Sequence, residues 1–98
     1  MILIMKTPCV YMISNKKDGV LYTGVTSNLQ KRIWEHKHNI VEGFSKKYNL
    51  KTLVWYEIHE TMEAAIIKEK QIKKWERAWK VKRIEKNNLK WTDLYYDL

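Results

Sequence analysis

The sequence predicts an α+β fold in the order β-β-α-β-α-α, and three observations carry that expectation. Two short β-favouring segments flank a run of turn residues, a third apolar and aromatic stretch follows, and the segments between and after repeat apolar residues at helical spacing. At 98 residues the chain has the size of one domain with a single modest core, so residues 1–98 read as one unit. No repeat, low-complexity tract or Gly/Pro/Ser-rich linker divides it.

Cys9 to Ile13 and Val20 to Val25 form the first two strands, with Asn15-Lys16-Lys17-Asp18-Gly19 as the turn of a β-hairpin. Its register stays open. A turn centred between Lys16 and Lys17 sets Tyr11 opposite Tyr22, whereas a two-residue turn at Asp18-Gly19 slips them apart. Thr26, Ser27 and Asn28 offer N-caps for a helix in which Leu29, Arg32, Ile33 and His36 recur at spacings of three and four. Arg32 and His36 therefore share the face of Leu29 and Ile33, directed at the body of the domain. Gly43 to Asn49 reads as a loop, and Leu53 to Ile58 as the third strand.

Glu60 to Glu63 opens a second helix with Thr61 as its cap. At about 100° per residue, Met62, Ala65, Ile66 and Ile72 all fall within about 60° of Glu69, which places this carboxylate in the middle of the apolar stripe. Burying it unpaired would cost several kcal/mol, so a cation or a proton must compensate. The helical pattern resumes through Trp75, Trp79, Val81 and Ile84, and these tryptophans, with Trp91, read as core. The tail from Asn87 to Leu98 packs back through its aromatic run, Trp91 to Tyr96.

The formal charge is +8, from 19 Lys plus Arg against 11 Asp plus Glu. Between Lys68 and Lys90 stand ten basic and three acidic residues, which holds nearly all of the excess and points to a polyanion partner. Cys9 is the only cysteine, which excludes an intramolecular disulfide and a cysteine-rich metal cluster, and it reads as a small buried strand residue. Met1 to Met5 is apolar, but Lys6 and Pro8 interrupt it before it reaches the length of a signal-peptide core or membrane span. A cytoplasmic protein with no membrane partner is expected.

The residues with chemistry are two phenols, Tyr11 and Tyr22, the Arg32 guanidinium, the His36 imidazole and the Glu69 carboxylate. Cys9-Val10-Tyr11 and Tyr22-Thr23-Gly24, followed by Asn28-Leu29 through Arg32 to His36, resemble the motifs of the GIY-YIG nuclease superfamily. So do Phe44 to Tyr48, Glu63-Ala64 through Glu69 to Lys74-Trp75, and Asn88 through Trp91 to Leu94. The whole is most similar to the family's small stand-alone bacterial members. Cys9 replaces a glycine of the first motif, and Leu89 a proline that often follows the asparagine. The resemblance implies a three-stranded antiparallel sheet flanked by helices. It also implies hydrolysis of a nucleic-acid phosphodiester, with one divalent metal, Mg²⁺ or Mn²⁺, held by Glu69.

Elementary chemistry agrees. A hard cation needs few protein ligands and supplies an activated water and charge stabilisation, and Arg32 can hold a phosphoryl oxygen in a fixed fork. The base is Tyr11, Tyr22 or His36: a phenol must fall from about 10 to 7, a cost of roughly 4 kcal/mol, while an imidazole starts near neutrality. Lys46, Lys47, Tyr48, Lys73, Lys74 and Asn88 are the expected nucleic-acid contacts, with DNA favoured and a nick, flap or branch as a candidate target. Against this stand three plainer readings. Arg32 and Glu69 pair only with each other, the fold is a nuclease-derived binder without activity, or the basic helix docks on an acidic protein. His38 and His59 read as surface residues.

Overall fold

The computed structural model describes residues 7–98; the apolar stretch Met1 to Met5 lies outside the described residues. The central strand β1 (Cys9–Ser14) is flanked by β2 (Leu21–Thr26) and β3 (Thr52–Ile58) in an antiparallel sheet of order β2-β1-β3. All six residues of β1 are buried, as a strand covered on both faces requires. Its side chains alternate: Val10 and Met12 enter one core, and Cys9, Tyr11 and Ile13 the other. Cys9 is thus a buried strand residue, as the sequence suggests.

The hairpin adopts neither of the two registers weighed. Tyr11 stands opposite Gly24 and Tyr22 opposite Ile13, which centres the turn between Lys17 and Asp18. Asp18 takes a left-handed φ of 59°, Gly19 donates its N–H to the Lys16 carbonyl (3.0 Å), and Asn15 Oδ1 accepts the Val20 N–H (3.0 Å). The side-chain tie from Asn15 lengthens the connection beyond a two-residue turn. On the other side of β1, Met12 pairs with Trp55 and Ile13 with Leu53, so Val54 is an extra residue in β3. Val54 and Trp55 consequently both join the Val10/Met12 core.

Helices cover both faces. Helix α1 (Leu29–Lys37), capped by Asn28 accepting from the Lys31 N–H, packs Leu29 and Ile33 over Tyr11 and Ile13. Helix α3 (Met62–Lys73), capped by Thr61, and α4 (Arg77–Glu85) contribute Ala65, Ile72 and Ile84 to the opposite core. The predicted loop 43–49 contains a one-turn helix, α2 (Phe44–Lys47). Ser45 is buried there and its carbonyl accepts the Leu50 N–H (2.9 Å), so tertiary packing closes a turn that local periodicity does not announce. The apolar stripe of α3 is narrower than expected. Met62 and Ile66 are exposed while Ala65 and Ile72 are fully buried, which moves Glu69 from mid-stripe to its margin, with a side chain 12% exposed.

The tail is stapled by two side chains. Asn88 is buried, donates from Nδ2 to the carbonyls of Val54 (3.0 Å) and Thr92 (2.9 Å), and accepts the Thr92 N–H and hydroxyl at Oδ1 (3.0 Å each). Asp93 accepts the N–H groups of Leu53 and Tyr95 and the Lys37 ammonium. Trp91 is buried between them with φ of 57°, a strained position for a bulky residue, and donates its indole N–H to Glu85 (2.7 Å). Leu94–Asp97 forms a closing 3₁₀ turn, and Leu94, Tyr95 and Leu98 pack on the Tyr11 side. Asn88→Ala strands the Val54 carbonyl and should lower stability by roughly 2 to 3 kcal/mol in urea unfolding.

Candidate active site

Because the strands alternate, Tyr11 and the diagonally placed Tyr22 emerge on one face of the hairpin, with ring centroids 6.4 Å apart. Opposite Tyr11 stands Gly24, where an added Cβ would lie 2.4 Å from the Tyr11 hydroxyl. Gly24 is therefore a seat for the phenol, well inside β2 and not merely a strand end. A buried hydroxyl needs a partner, and Tyr11 finds it in His36 Nε2 at 2.8 Å. His36 Nδ1 in turn meets Ser45 Oγ at 3.0 Å. Asn28 sets the phase of α1 and Leu29 and Ile33 anchor it, so His36 arrives one turn further along the same buried face.

Burial raises the Tyr11 pKa above the ordinary phenol value; Tyr22 and Glu69 push the same way, and Arg32 opposes them. His36 is pushed down to about 4, first by burial and then by the neighbouring Arg32, with Glu35 opposing. At neutral pH the imidazole is uncharged, so one ring nitrogen donates and the other accepts, and the Tyr11–His36–Ser45 chain is satisfied without net charge. Arg32 pairs with Glu35 (3.3 Å) and not with Glu69, which removes the reading in which Arg32 and Glu69 serve only each other.

Glu69 reaches the site from the opposite layer, because α3 packs against the edge strand β2 as well as β1. Its carboxylate accepts from Lys73 one turn later (2.7 Å), and the Lys73 ammonium lies 5.5 Å from the centre of the Tyr22 ring. The Glu69 hydrogen bond is the main cause that raises the Lys73 pKa. Lys73 is thus part of the cluster itself. Beyond Tyr22 a rim follows: Phe44 stacks on Tyr22 (6.3 Å), Tyr48 lies against Phe44 (4.6 Å), and Lys47 sits over Tyr48 (5.4 Å). Lys46 is tied to Glu42 (3.0 Å), and Lys74 is exposed at the end of α3.

Asn88 is the exception among the expected nucleic-acid contacts. Its amide is buried and fully committed to backbone and to Thr92, so it serves the fold in place of meeting a ligand. Ser45, Phe44 and Gly24 are the residues that sequence reasoning left without a role in the site. All three lie inside segments already singled out, but only register and the fold of 43–49 give them partners.

Among the described residues no group of three or more His, Cys, Asp or Glu side chains gathers to hold a metal. A single oxygen donor, Glu69, beside two phenols fits a hard, hydrated cation such as Mg²⁺, which keeps waters and takes substrate phosphate as further ligands. It does not suit a soft or fully caged ion.

Two measurements probe this geometry. Gly24→Ala forces the Tyr11 ring aside and should cost roughly 1 to 3 kcal/mol in chemical denaturation, while abolishing the Tyr11–His36 hydrogen bond that proton NMR can follow. His36 has a folded pKa of about 4 against its ordinary 6.5, so the unfolded chain binds the extra proton between those values. Its contribution is complete above pH 6.5 and is lost as pH falls toward 4, on the order of 2 to 3 kcal/mol. Unfolding curves over that range should show the decline in the parent and a much flatter profile in His36→Gln.

Comparison with known proteins meets this geometry from another direction. The sequence model of the GIY-YIG catalytic domain matches residues 7–87. The chain is 35% identical over 68 residues to the UPF0213 protein of Staphylococcus saprophyticus, covering 69% of this chain and 83% of that one. It is also 35% identical over 74 residues to the UPF0213 protein of Clostridium perfringens, with 76% and 80% covered. To the UPF0213 protein of Staphylococcus haemolyticus it is 34% identical over 76 residues, with 78% and 92% covered. No solved structure matches. The matched span contains the whole sheet, both tyrosine segments and all of α1 to α4, and on these grounds the chain belongs to the GIY-YIG family of catalytic domains.

Proposed function

We propose that the protein is a divalent-metal-dependent endonuclease that hydrolyses phosphodiester bonds in DNA, its residues 1–98 forming one nuclease domain at work in the cytoplasm. The observation that carries this reading is the meeting of two phenols, a neutral imidazole, a guanidinium and the Glu69–Lys73 pair at one edge of the sheet. Structural needs alone would not gather those groups. A bound Mg²⁺ or Mn²⁺ on Glu69 supplies positive charge for the phosphoryl oxygens and for the departing oxygen.

The chain's own residues do the rest. Arg32, partly exposed and paired with Glu35, is positioned to turn toward a phosphoryl oxygen, where its fork is worth more than in an exposed pair. The proton of the attacking water goes to Tyr11 or Tyr22 once that phenol has given up its own proton. Tyr22 is partly exposed and meets solvent first, and Tyr11 stands behind it with His36 Nε2 as the acceptor for its own proton. In the free protein burial keeps Tyr11 protonated and His36 neutral, so ionising the phenol awaits the positive charge that Arg32 and a bound cation would add. Ser45 fixes the orientation of the imidazole through Nδ1. Lys73 pairs with Glu69 and lies beside Tyr22, where it favours a developing phenolate. The rim of Lys46, Lys47 and Tyr48 then meets the nucleic-acid backbone.

The decisive experiment incubates the purified protein with plasmid, branched DNA, single-stranded DNA and RNA, with and without Mg²⁺ or Mn²⁺. Cleavage only with metal is expected; binding without cleavage under every condition would favour an inactive descendant of a nuclease. Glu69→Gln sharpens the test. The partner released by this change, Lys73, is 47% exposed and readily hydrated, so stability should change by about 1 kcal/mol or less. Cleavage should fall by several orders of magnitude while binding persists. A variant that cuts as well as the parent would remove Glu69 from the chemistry.

A further inference from the structure

Away from the tyrosines, a groove of about 810 Å³ runs along α4, with Trp75, Trp79, Lys82, Arg83, Glu85 and Lys86 in its lining. None of the residues of the candidate active site borders it. The sequence reads Trp79 as core, yet the structure leaves it 59% exposed, although burying an indole is among the larger gains a small domain can make. Its neighbour Trp75 is half-buried and covered by the Arg83 guanidinium, 4.9 Å from the ring centre, with the two indoles edge to face at 6.4 Å.

Spacing gives the groove a direction. Residues 79, 82 and 86 follow one another at three and four along α4 and its C-cap, with Trp75 just before the helix, so the exposed indole and two ammonium groups form a single stripe. From Trp79 to Lys86 the stripe covers about 10 Å at the helical rise. Among the described residues neither Lys82 nor Lys86 is paired with a carboxylate, and Glu85, the one acid in the lining, is occupied by the Trp91 indole N–H. Within the same helix burial lowers the Lys80 pKa, and repulsion from Arg77 and Lys73 lowers it further.

We propose that this groove is a binding site for an unpaired DNA strand, with bases stacked on Trp79 and phosphates led along Lys82 and Lys86. The argument is one of complementarity. A duplex needs only the cations and hides the faces of its bases, whereas an unpaired base offers a π-face, for which an exposed indole beside ammonium groups is the fitting surface. An acidic protein would satisfy the lysines and leave the indole unexplained. The inference rests on the nucleic-acid reading above only for the class of partner and needs no catalysis.

Fluorescence anisotropy with a labelled short oligo(dT), a hairpin duplex of matched length and oligo(U), all in EDTA, separates the two. Trp79→Ala should weaken oligo(dT) binding on the order of tenfold and leave the duplex nearly unchanged, with Trp79→Phe recovering most of the loss. Lys82→Ala with Lys86→Ala should weaken both ligands and reduce the salt dependence. The exposure of all three side chains keeps the variants folded, which circular dichroism verifies. Equal loss of duplex and oligo(dT) in Trp79→Ala, no loss at all, preference for oligo(U), or a concentration-dependent dimer abolished by the substitution would each overturn the assignment. Because the EDTA removes metal, this binding is read independently of cleavage: strand binding by a protein that cuts nothing with Mg²⁺ or Mn²⁺ supports the groove while refuting the enzyme.

Discussion

A phenol hydroxyl buried at the centre of a three-stranded sheet must be given both room and a hydrogen-bond partner, and much of the molecule is arranged around meeting those two needs for Tyr11. Room comes from Gly24, whose missing side chain fixes what can stand opposite. The partner comes from His36, and that fixes the rotation of α1 about its axis. His36 must then be satisfied at its other nitrogen, which pulls Ser45 inward and makes a helical turn of a segment with no helical periodicity. One buried oxygen thus dictates the hairpin register, the phase of a helix and the shape of a loop.

The sheet divides labour between its faces. On the Val10/Met12 side, apolar groups from α3, α4 and Trp91 form a core whose polar members, such as Asn88, satisfy backbone. On the Tyr11 side the core is interrupted by groups able to exchange protons. Glu69 and Lys73 belong by sequence to the first layer and reach the second only because α3 lies over the edge strand.

The elements were legible where local rules decide. Asn28 and Thr61 cap the helices they were expected to cap, and the period-two pattern of β1 and β2 marks the hairpin. What was not legible depends on groups distant in sequence. The register needed the Asn15 tie and the Gly24 seat, the turn at 44–47 needed His36, and Trp79 falls on the exposed face of α4 with Lys82 and Lys86, away from buried Ile84. Asn88 shows the limit from the other side. A polar residue at a motif position looks the same in sequence whether it faces a ligand or a buried carbonyl, and only the fold tells the two apart.

The staple formed by Asn88 and Asp93 also ties together distant parts of the chain. The hairpin closes over a separation of a few residues, but the bonds from Asn88 to Val54, Asp93 to Leu53 and Lys37 to Asp93 span 34, 40 and 56 residues. Loop-closure entropy makes such contacts slow to form and rewards them only once the strands are in place. The tail seals the Tyr11 side with Leu94, Tyr95 and Leu98, so the packing of the chemistry-bearing face of the sheet rests on contacts that reach far along the chain.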